Sequence, residues 1–561
     1  MKTQEDETQD IWAQLKTPAG EFSHTPNWLA WHPSQLDHCL SQRAGHLPPP
    51  LTESERDELR EAHRRWHGDE TSLAALERLG RPTARVIVTG QQPGLLTGPL
   101  LVLYKSMAAI DLARRLKAAH PQLDFVPVFW VASEDHDFDE IRRVFWPGHS
   151  GQLEEFLMQP STWKWGQMIG RIPTGALPPL IRQLVEHSTF KTEFLPEVLR
   201  MIESSYGGDG DVETGFCRML LRLLAGTGLV VVSPLMAWVR RRGAAILAHE
   251  FSRPGVSSQM VIERGEAMRA AGLTPTVHRT PDALNAFWVD GEGRRYTLRL
   301  QDGEVHRALP RHNGDEESID QPPLAPRDLE AMLREQPEQF SANVVTRPLV
   351  QDSILPTVAQ VIGPGEASYL AQVEPLYREF GVFAPLRTPR PSVTLVEPRV
   401  VRNLEKFQIA IDAALSMDAQ ELIHTALRNE LKSGEMQEIE ALHRHQEEEL
   451  DALREKFAAG SEAIEAAFER MLQTTRKGFE KIVERILYQR QQDERSLTQG
   501  CALISNSLRP NDSPQERQLN PIIPFAVNYN LDWPLRLMPL IKFDYTEPMQ
   551  VIQMADLAKS P

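Results

Sequence analysis

The sequence predicts an α/β protein with a doubly wound parallel core and a long helical arm, and three observations carry that reading. Short apolar runs, Val86-Ile87-Val88 and Phe125 to Ala132, have the unbroken hydrophobicity of strands covered on both faces. Between them Leu100 to Ala119 has helical spacing, so strand, helix and strand follow one another as a βαβ unit. From about Asp418 to Thr498 the chain turns strongly charged and free of proline, while apolar residues keep the spacings of a coiled-coil seam.

The chain has 561 residues, more than one hydrophobic core usually organises, and its 41% hydrophobic and 25% charged residues are those of a globular protein. Residues 1–80 read as a helical segment, with Thr52 and Glu55 spaced as a capping box. The core is expected over 81–415. Its further strand candidates are Gly228 to Val232, Ala286 to Val289, Tyr296 to Leu300 and Pro391 to Val396, with helices Asp211 to Ala225 and Val358 to Phe380 between them. Residues 303–327, rich in Pro, Asp, Glu and Asn, read as an excursion or linker. The arm, 416–500, carries its seam from Ile439 to Ile486, and Ala458-Ala459-Gly460-Ser461 interrupts it, which favours an antiparallel hairpin with its tip near Gly460. Residues 501–561 return to the core, through a loop at Pro510 to Arg517.

A formal net charge of -16 opposes a phosphate backbone, so nucleic acid is not an expected partner. The three cysteines, Cys39, Cys217 and Cys501, lie far apart without the spacing of a thiolate metal site or a disulfide framework. Met1 to Asp10 is acidic, and no run of about 18 apolar residues occurs, so neither export nor a membrane partner is expected and the protein is placed in the cytoplasm.

The sharpest local motif is Thr89-Gly90-Gln91-Gln92-Pro93-Gly94-Leu95-Leu96-Thr97-Gly98-Pro99, between a buried strand and a helix. Glycines there allow close backbone approach and the helix start favours an anion, with Lys105 in reach; a tight structural turn fits the same pattern. Thr89, Gly90, Gln91, Gln92, Gly94, Thr97, Gly98 and Lys105 are the candidates for nucleotide or anion binding. The second strand runs into Ser133-Glu134-Asp135-His136-Asp137-Phe138-Asp139-Glu140, where crowded carboxylates are expected to raise one another's pKa and to favour a charged imidazole. Asp135, His136 and Asp137 are the catalytic candidates, and Glu134 a substrate contact. Helix capping accounts for one or two of the acids. Asp135, His136, Asp137 and Asp139 also offer metal ligands, but Mg²⁺ takes only one or two carboxylates; no metal set is assigned and the requirement stays open. A third constellation joins Asn343, Arg347, Gln351 and Asp352 to Gly363, Gly365, Glu366, Tyr369 and Gln372 as a second wall of the cleft and further substrate contacts.

Taken in order, T-G-Q-Q-P-G-L-L-T-G-P, V-F-W-V-A-S-E-D-H-D-F-D-E, R-P-L-V-Q-D with L-P-T, G-P-G-E-A-S-Y, P-R-P-S-V-T-L-V-E and P-N-D-S-P-Q-E-R resemble the bacillithiol cysteine-adding enzymes from about residue 85 onward. The resemblance implies a Rossmann-like, nucleotidyltransferase-type core with inserted connecting segments, and a coiled-coil arm that forms a homodimer. It also implies a ligase that adds cysteine to glucosaminyl-malate, with ATP or ADP as an allowed ligand. Ser233-Pro234, where family members often place an acidic residue, and the divergent C-terminal part with Trp533 and Tyr545 leave the acceptor open. A nucleotidyl or other group transferase on the same fold, and a non-catalytic dimeric scaffold, are the alternative readings.

Overall fold

The structure is a computed structural model that describes residues 40–558, apart from 42, 44, 160–162, 189–190, 311–315, 320, 432–434, 459–460, 494 and 544–548. Cys39, Gly460 and Tyr545 therefore lie outside the described residues, as does most of the segment ahead of Thr52. The chain divides into two units. One comprises the chain up to Val144, Phe156–Val393 and Asn520–Gln550; the other comprises Phe145–Glu155, Thr394–Leu519 and the chain from Val551.

The first unit opens with helix α1 (Glu53–Arg65), capped reciprocally by Thr52 and Glu55 as the sequence predicts. Strand β1 (Ala84–Gln91), helix α2 (Leu101–Ala119) and strand β2 (Asp124–Val131) form the expected βαβ unit, paired in parallel from Ala84 opposite Asp124 to Gln91 opposite Val131. Helix α3 (Val212–Leu223), strand β3 (Val230–Val232) and helix α4 (Ala237–Ser252) follow. An antiparallel set comes next: β4 (Ala283–Val289), β5 (Arg295–Gln301), β6 (Glu304–Pro310), β7 (Glu316–Ser318) and β8 (Phe340–Ala342). Helix α5 (Arg347–Ile354), strand β9 (Thr357–Ile362), helix α6 (Pro364–Glu379) and strand β10 (Leu386–Pro389) return to the first sheet.

That sheet has the order β10-β9-β1-β2-β3 with every pair parallel. The chain winds from β1 outward through β2 to β3, then restarts beside β1 with β9, which is the doubly wound topology. Its strands are unbroken apolar runs because both faces are covered: Val86, Ile87, Val88, Val128, Val231 and Val361 are all 0% exposed. The second sheet, β8-β4-β5-β6-β7, is antiparallel throughout.

Three readings need correction. Val358 to Phe380 is not one helix: its first part is β9, whose residues are all buried, and the helix starts only at Pro364, where Gly363 turns the chain. The segment 303–327 is not a bare linker, because β6 and β7 extend the antiparallel sheet from within it. Pro391 to Val396 does not join the parallel sheet; Val393–Val396 pairs instead with Gln550–Gln553.

In the second unit, helices α7 (Pro398–Lys406), α8 (Ala419–Leu431) and α11 (Arg495–Leu508) share a core that includes Val400, Leu404, Leu422, Leu427, Ile504 and Leu508. The arm is α9 (Glu435–Phe457) and α10 (Glu462–Asp493). Arg454 pairs with Glu469 at 3.0 Å and Glu447 with Arg476 at 2.7 Å, so residues falling along one helix meet residues rising along the other, as in an antiparallel hairpin. Gln515 pins the loop after α11, its amide bonding both the N–H and C=O of Leu395 at 2.8 Å. Among the described residues no helix is long and apolar enough to cross a membrane.

Candidate active site

In a doubly wound sheet the crevice lies at the carboxyl ends of the strands where the winding reverses, here between β1 and β9. Lys105, on α2 and only 2% exposed, closes that point. Its Nζ donates to Gly90 O (2.8 Å) and Gln91 Oε1 (2.9 Å), and pairs with the carboxylate of Glu366 at the start of α6. Glu366 Oε2 also accepts from the Gly363 N–H at 2.8 Å, which fixes the helix start. Burial lowers the Lys105 pKa, and the nearby guanidinium groups of Arg390 and Arg347 add to that; Glu366 opposes it. Lys105 and the third constellation, read from the sequence as a second wall of the cleft, are thus joined by a direct ion pair.

The glycine-rich turn is held by its own backbone and by buried side chains around it. A Cβ on Gly94 would lie 2.7 Å from Gly98 Cα, so Gly94 is required by the turn's own backbone. Leu96, Thr97 and Gly98 all have positive φ, and all three are fully or almost fully buried. Tyr206 Oη accepts from Leu96 N (2.9 Å), while Asn520 Nδ2 donates to Leu96 O (2.9 Å) and Gly98 O (3.0 Å). Thr89 Oγ1 donates to Val361 O at 3.0 Å, tying β1 to β9, and Gly90 packs on the Trp130 carbonyl. Of this motif, Gln91 and Gln92 are the part-exposed recognition groups.

The end of β2 delivers the acidic cluster to the same crevice. Gln92 Nε2 donates to Asp135 Oδ2 (3.1 Å) and to Glu140 Oε2 (2.5 Å), joining the first two motifs. Asp135 Oδ1 also accepts from the N–H groups of His136 (2.7 Å) and Asp137 (3.3 Å), and Asp137 caps the short helix Phe138–Ile141 through Glu140 N. Burial acts to raise the Asp135 pKa, but Arg295, His136 and those N–H bonds outweigh it and hold it low. Burial and the charge of Asp135 raise that of Asp137.

His136 is not the charged imidazole the sequence suggests. Its Nδ1 lies 3.4 Å from the Arg295 guanidinium and its ring packs edge-on against Phe287; burial first, and Arg295 second, bring its pKa down to about 4. So low a pKa makes the ring a weak base; the carboxyl shifted toward neutrality is that of Glu140, the residue that the sequence analysis quoted without assigning a role. Crowding by the cleft walls, then Asp135 and Asp137, push the Glu140 carboxyl up to about 7, although the side chain stays open to solvent.

Guanidinium groups gather beside the acidic cluster. Arg347, at the start of α5, donates to Tyr369 Oη at 2.7 Å. Arg295 on β5 spans Ser341 Oγ (3.0 Å) and Ala342 O (2.6 Å) with its guanidinium 3.8 Å over the Phe287 ring. Arg240 on α4 pairs with Glu134 at 3.1 Å. Nothing in the local sequence around Arg240 or Arg295 marks them, because the inserted sheet and a distant helix bring them in.

Other candidates have their polar atoms taken up inside the protein. Gln351 donates to Asp352 (3.0 Å), whose other oxygen accepts from Tyr377 Oη (2.7 Å) and faces Arg387. Gln372 bonds the backbone of Val277 in both directions. Asn343 Oδ1 accepts from Val345 N and its amide donates to Asn285. Gly365, by contrast, stands in open space beside Glu366. Among the described residues no three His, Cys, Asp or Glu side chains are grouped to hold a metal ion.

Two family models match the chain: the bacillithiol biosynthesis BshC N-terminal Rossmann-like domain over residues 4–391 and its C-terminal coiled-coil domain over residues 393–553. Curated relatives share the similarity over most of both chains. A protein of Chlorobaculum tepidum named "Putative cysteine ligase BshC" is 31% identical over 477 residues, 82% of this chain and 82% of its own. Proteins of the same name from Salinibacter ruber (31% over 475 residues, 83% of this chain and 82% of its own) and Desulforamulus reducens (27% over 515 residues, 91% and 90%) are also similar.

Proposed function

This chain belongs to the bacillithiol biosynthesis BshC family, and from that membership and its cleft we propose that it is a ligase joining the carboxyl carbon of cysteine to the amine of glucosaminyl-malate. The observation that carries this reading is one cleft in which Gln92 joins Asp135 and Glu140 through its amide while the Arg295 guanidinium stands 3.4 Å from His136, with the Glu140 carboxyl pushed up to about 7. An acceptor ammonium with a pKa of roughly 8 must lose a proton before it attacks, and a carboxylate tuned near neutrality is matched to take it. Asp135 and Asp137 set that tuning and orient the ammonium; Gln92 holds Glu140 in place. As the C–N bond forms, a carboxyl oxygen must depart, which calls for an activating co-substrate. ATP is the co-substrate proposed, with Lys105, Arg347 and Arg390 around the start of α6 as the groups suited to its phosphates.

We infer also that the arm joins two copies of the chain. Leu442, Leu453, Phe457, Ile464, Met471 and Ile482 are 41–57% exposed along the hairpin, apolar surface that a second helical pair would cover.

The test is product formation from cysteine and glucosaminyl-malate by the purified protein, with and without ATP and Mg²⁺, read by mass spectrometry. An amide-linked thiol product is expected. A nucleotidylated product without an amide would favour the group-transfer reading. No product and no ligand-induced rise in melting temperature would leave a scaffold.

A further inference from the structure

The inserted antiparallel sheet sends one guanidinium to the end of β2, and that group decides what the neighbouring imidazole can do. Arg295, on β5, is held by β8: its Nε donates to Ser341 Oγ at 3.0 Å and one terminal nitrogen donates to Ala342 O at 2.6 Å. Its guanidinium carbon lies 3.8 Å from the centroid of the Phe287 ring of β4. The other terminal nitrogen stands 3.4 Å from His136 Nδ1.

A guanidinium donates and never accepts, so in this contact Nδ1 is the acceptor. The rival partner of Nδ1 is Asp135 Oδ1, but it lies 3.7 Å away and already accepts from the N–H groups of His136 and Asp137. A neutral imidazole whose Nδ1 accepts carries its proton on Nε2. Burial and the charge of Arg295 keep the ring neutral near pH 7 by bringing its pKa down to about 4. Phe287 meets the ring edge-on, and the His136 backbone is tied down by Asp135, so the imidazole is held on two sides. The side chain is 23% exposed, and among the described residues no group bonds Nε2. Its N–H is the polar edge left for a ligand.

We propose that His136 is a catalytic hydrogen-bond donor, whose Nε2–H, fixed by Arg295, bonds the oxygen of the substrate's activated carboxyl group as negative charge builds there. The proposal rests on the ligase reading for the identity of that carboxyl, and it gives the histidine a donor's role in place of a base's. As the acceptor's nitrogen adds to the carboxyl carbon, the C=O π pair moves onto oxygen, where the Nε2–H meets it. When that pair returns, the bond to the ATP-derived activating group breaks and the group departs with the bonding electrons. One proton of the ammonium has passed to Glu140 before the attack, and a second leaves with the departing group. His136 keeps its own proton throughout. Arg295 acts through His136 as a positioning residue, which gives β4, β5 and β8 a task at the cleft.

The tautomer can be read on the unaltered full-length protein by nitrogen NMR of histidine-labelled samples, the His136 signals being assigned by their loss in His136→Gln. A proton on Nε2 and a bare Nδ1 are expected near pH 7; a proton on Nδ1 would overturn the assignment. In folded Arg295→Met both tautomers should appear, and an unchanged spectrum would remove Arg295 from the role. Turnover supplies the second arm. His136→Gln keeps an amide N–H near the place of Nε2–H but cannot take up a proton, whereas His136→Ala has neither. With folding checked by circular dichroism, His136→Ala should lower kcat roughly 10²- to 10³-fold with little change in KM, and His136→Gln should lose no more than about tenfold. Equal losses in the two variants would overturn the donor role. The two readings can fail separately: amide formation undiminished in His136→Ala removes the donor and keeps the ligase, while an Nε2–H tautomer in a protein that forms no amide does the reverse.

Discussion

Lys105 of α2 and Glu366 of α6 meet as an ion pair across the point where the parallel sheet reverses its winding, the lysine 2% and the glutamate 18% exposed. Removing one partner of such a pair strands the other charge, which typically costs about 3–5 kcal/mol, while replacing both by neutral groups of like shape costs much less. Glu366→Gln should therefore destabilise the first unit by that amount in urea unfolding, and adding Lys105→Met should recover a large part of the loss. A loss in the double variant equal to the sum of the losses in the two single variants would show that the pair is not coupled.

Glu140 should appear in the pH dependence of turnover. Its carboxyl accepts a proton only when ionised, so the rate should rise as pH increases through about 7. Asp137→Asn removes one of the like charges that raise it, and Asn still caps the helix Phe138–Ile141, so the inflection should move to lower pH. Glu140→Gln should lower kcat roughly 10²- to 10⁴-fold with little change in melting temperature.

His63 should govern acid stability. It is fully buried, its Nε2 accepts from the Val231 N–H at 3.0 Å, its Nδ1 lies 3.0 Å from Leu59 O, and burial lowers its pKa to about 4. The unfolded chain binds the proton near pH 6.5 and the folded chain does not, so stability falls as pH drops from 6.5 towards 4, by about 3 kcal/mol for this residue. His63→Gln should be less stable at pH 7 but show a flatter acid limb in thermal melts taken across that range.

Two glycines should behave oppositely. Gly94→Ala drives a methyl into Gly98 and should cost about 1–3 kcal/mol of stability, the range for overpacking. Gly365→Ala meets no atom within 4 Å and should fold normally, so any loss of activity there reports on ligand access.

The arm's exposed residues give a solution test. Leu442→Asp with Ile482→Asp places charges on surface that is 53% and 51% exposed in the single chain, so secondary structure should survive while sedimentation shifts from dimer to monomer. A dimer unchanged by both would place the interface elsewhere.

The βαβ unit was legible because Val86 to Val88 and Phe125 to Ala132 are runs that only a doubly covered strand explains, and the helical arm because its seam holds over many turns. β9 was not: Val358-Ala359-Gln360-Val361-Ile362 runs straight into a helical pattern, and only the pairing with β1 separates the two. The site divides similarly. Gln92 and Asp135 stood in motifs at the ends of two consecutive strands of one βαβ unit, which a parallel sheet brings side by side. Arg240 and Arg295 come from elements without a motif, and Glu140 owes its altered acidity to neighbours that assemble only in the fold. Gln351 and Gln372 show the converse, amides suited to recognition that instead satisfy buried partners.

The antiparallel strands β4 to β7 lie between the two halves of the parallel sheet, and this has a kinetic consequence. Their hairpins close over short stretches of chain, whereas the contact of Thr89 with Val361 spans 272 residues. Loop closure on that scale is slow compared with hairpin formation, so the inserted sheet should be in place early and the joining of β9 to β1 late. Since the crevice exists only once β9 has docked, refolding chains should regain most of their secondary structure well before they regain activity.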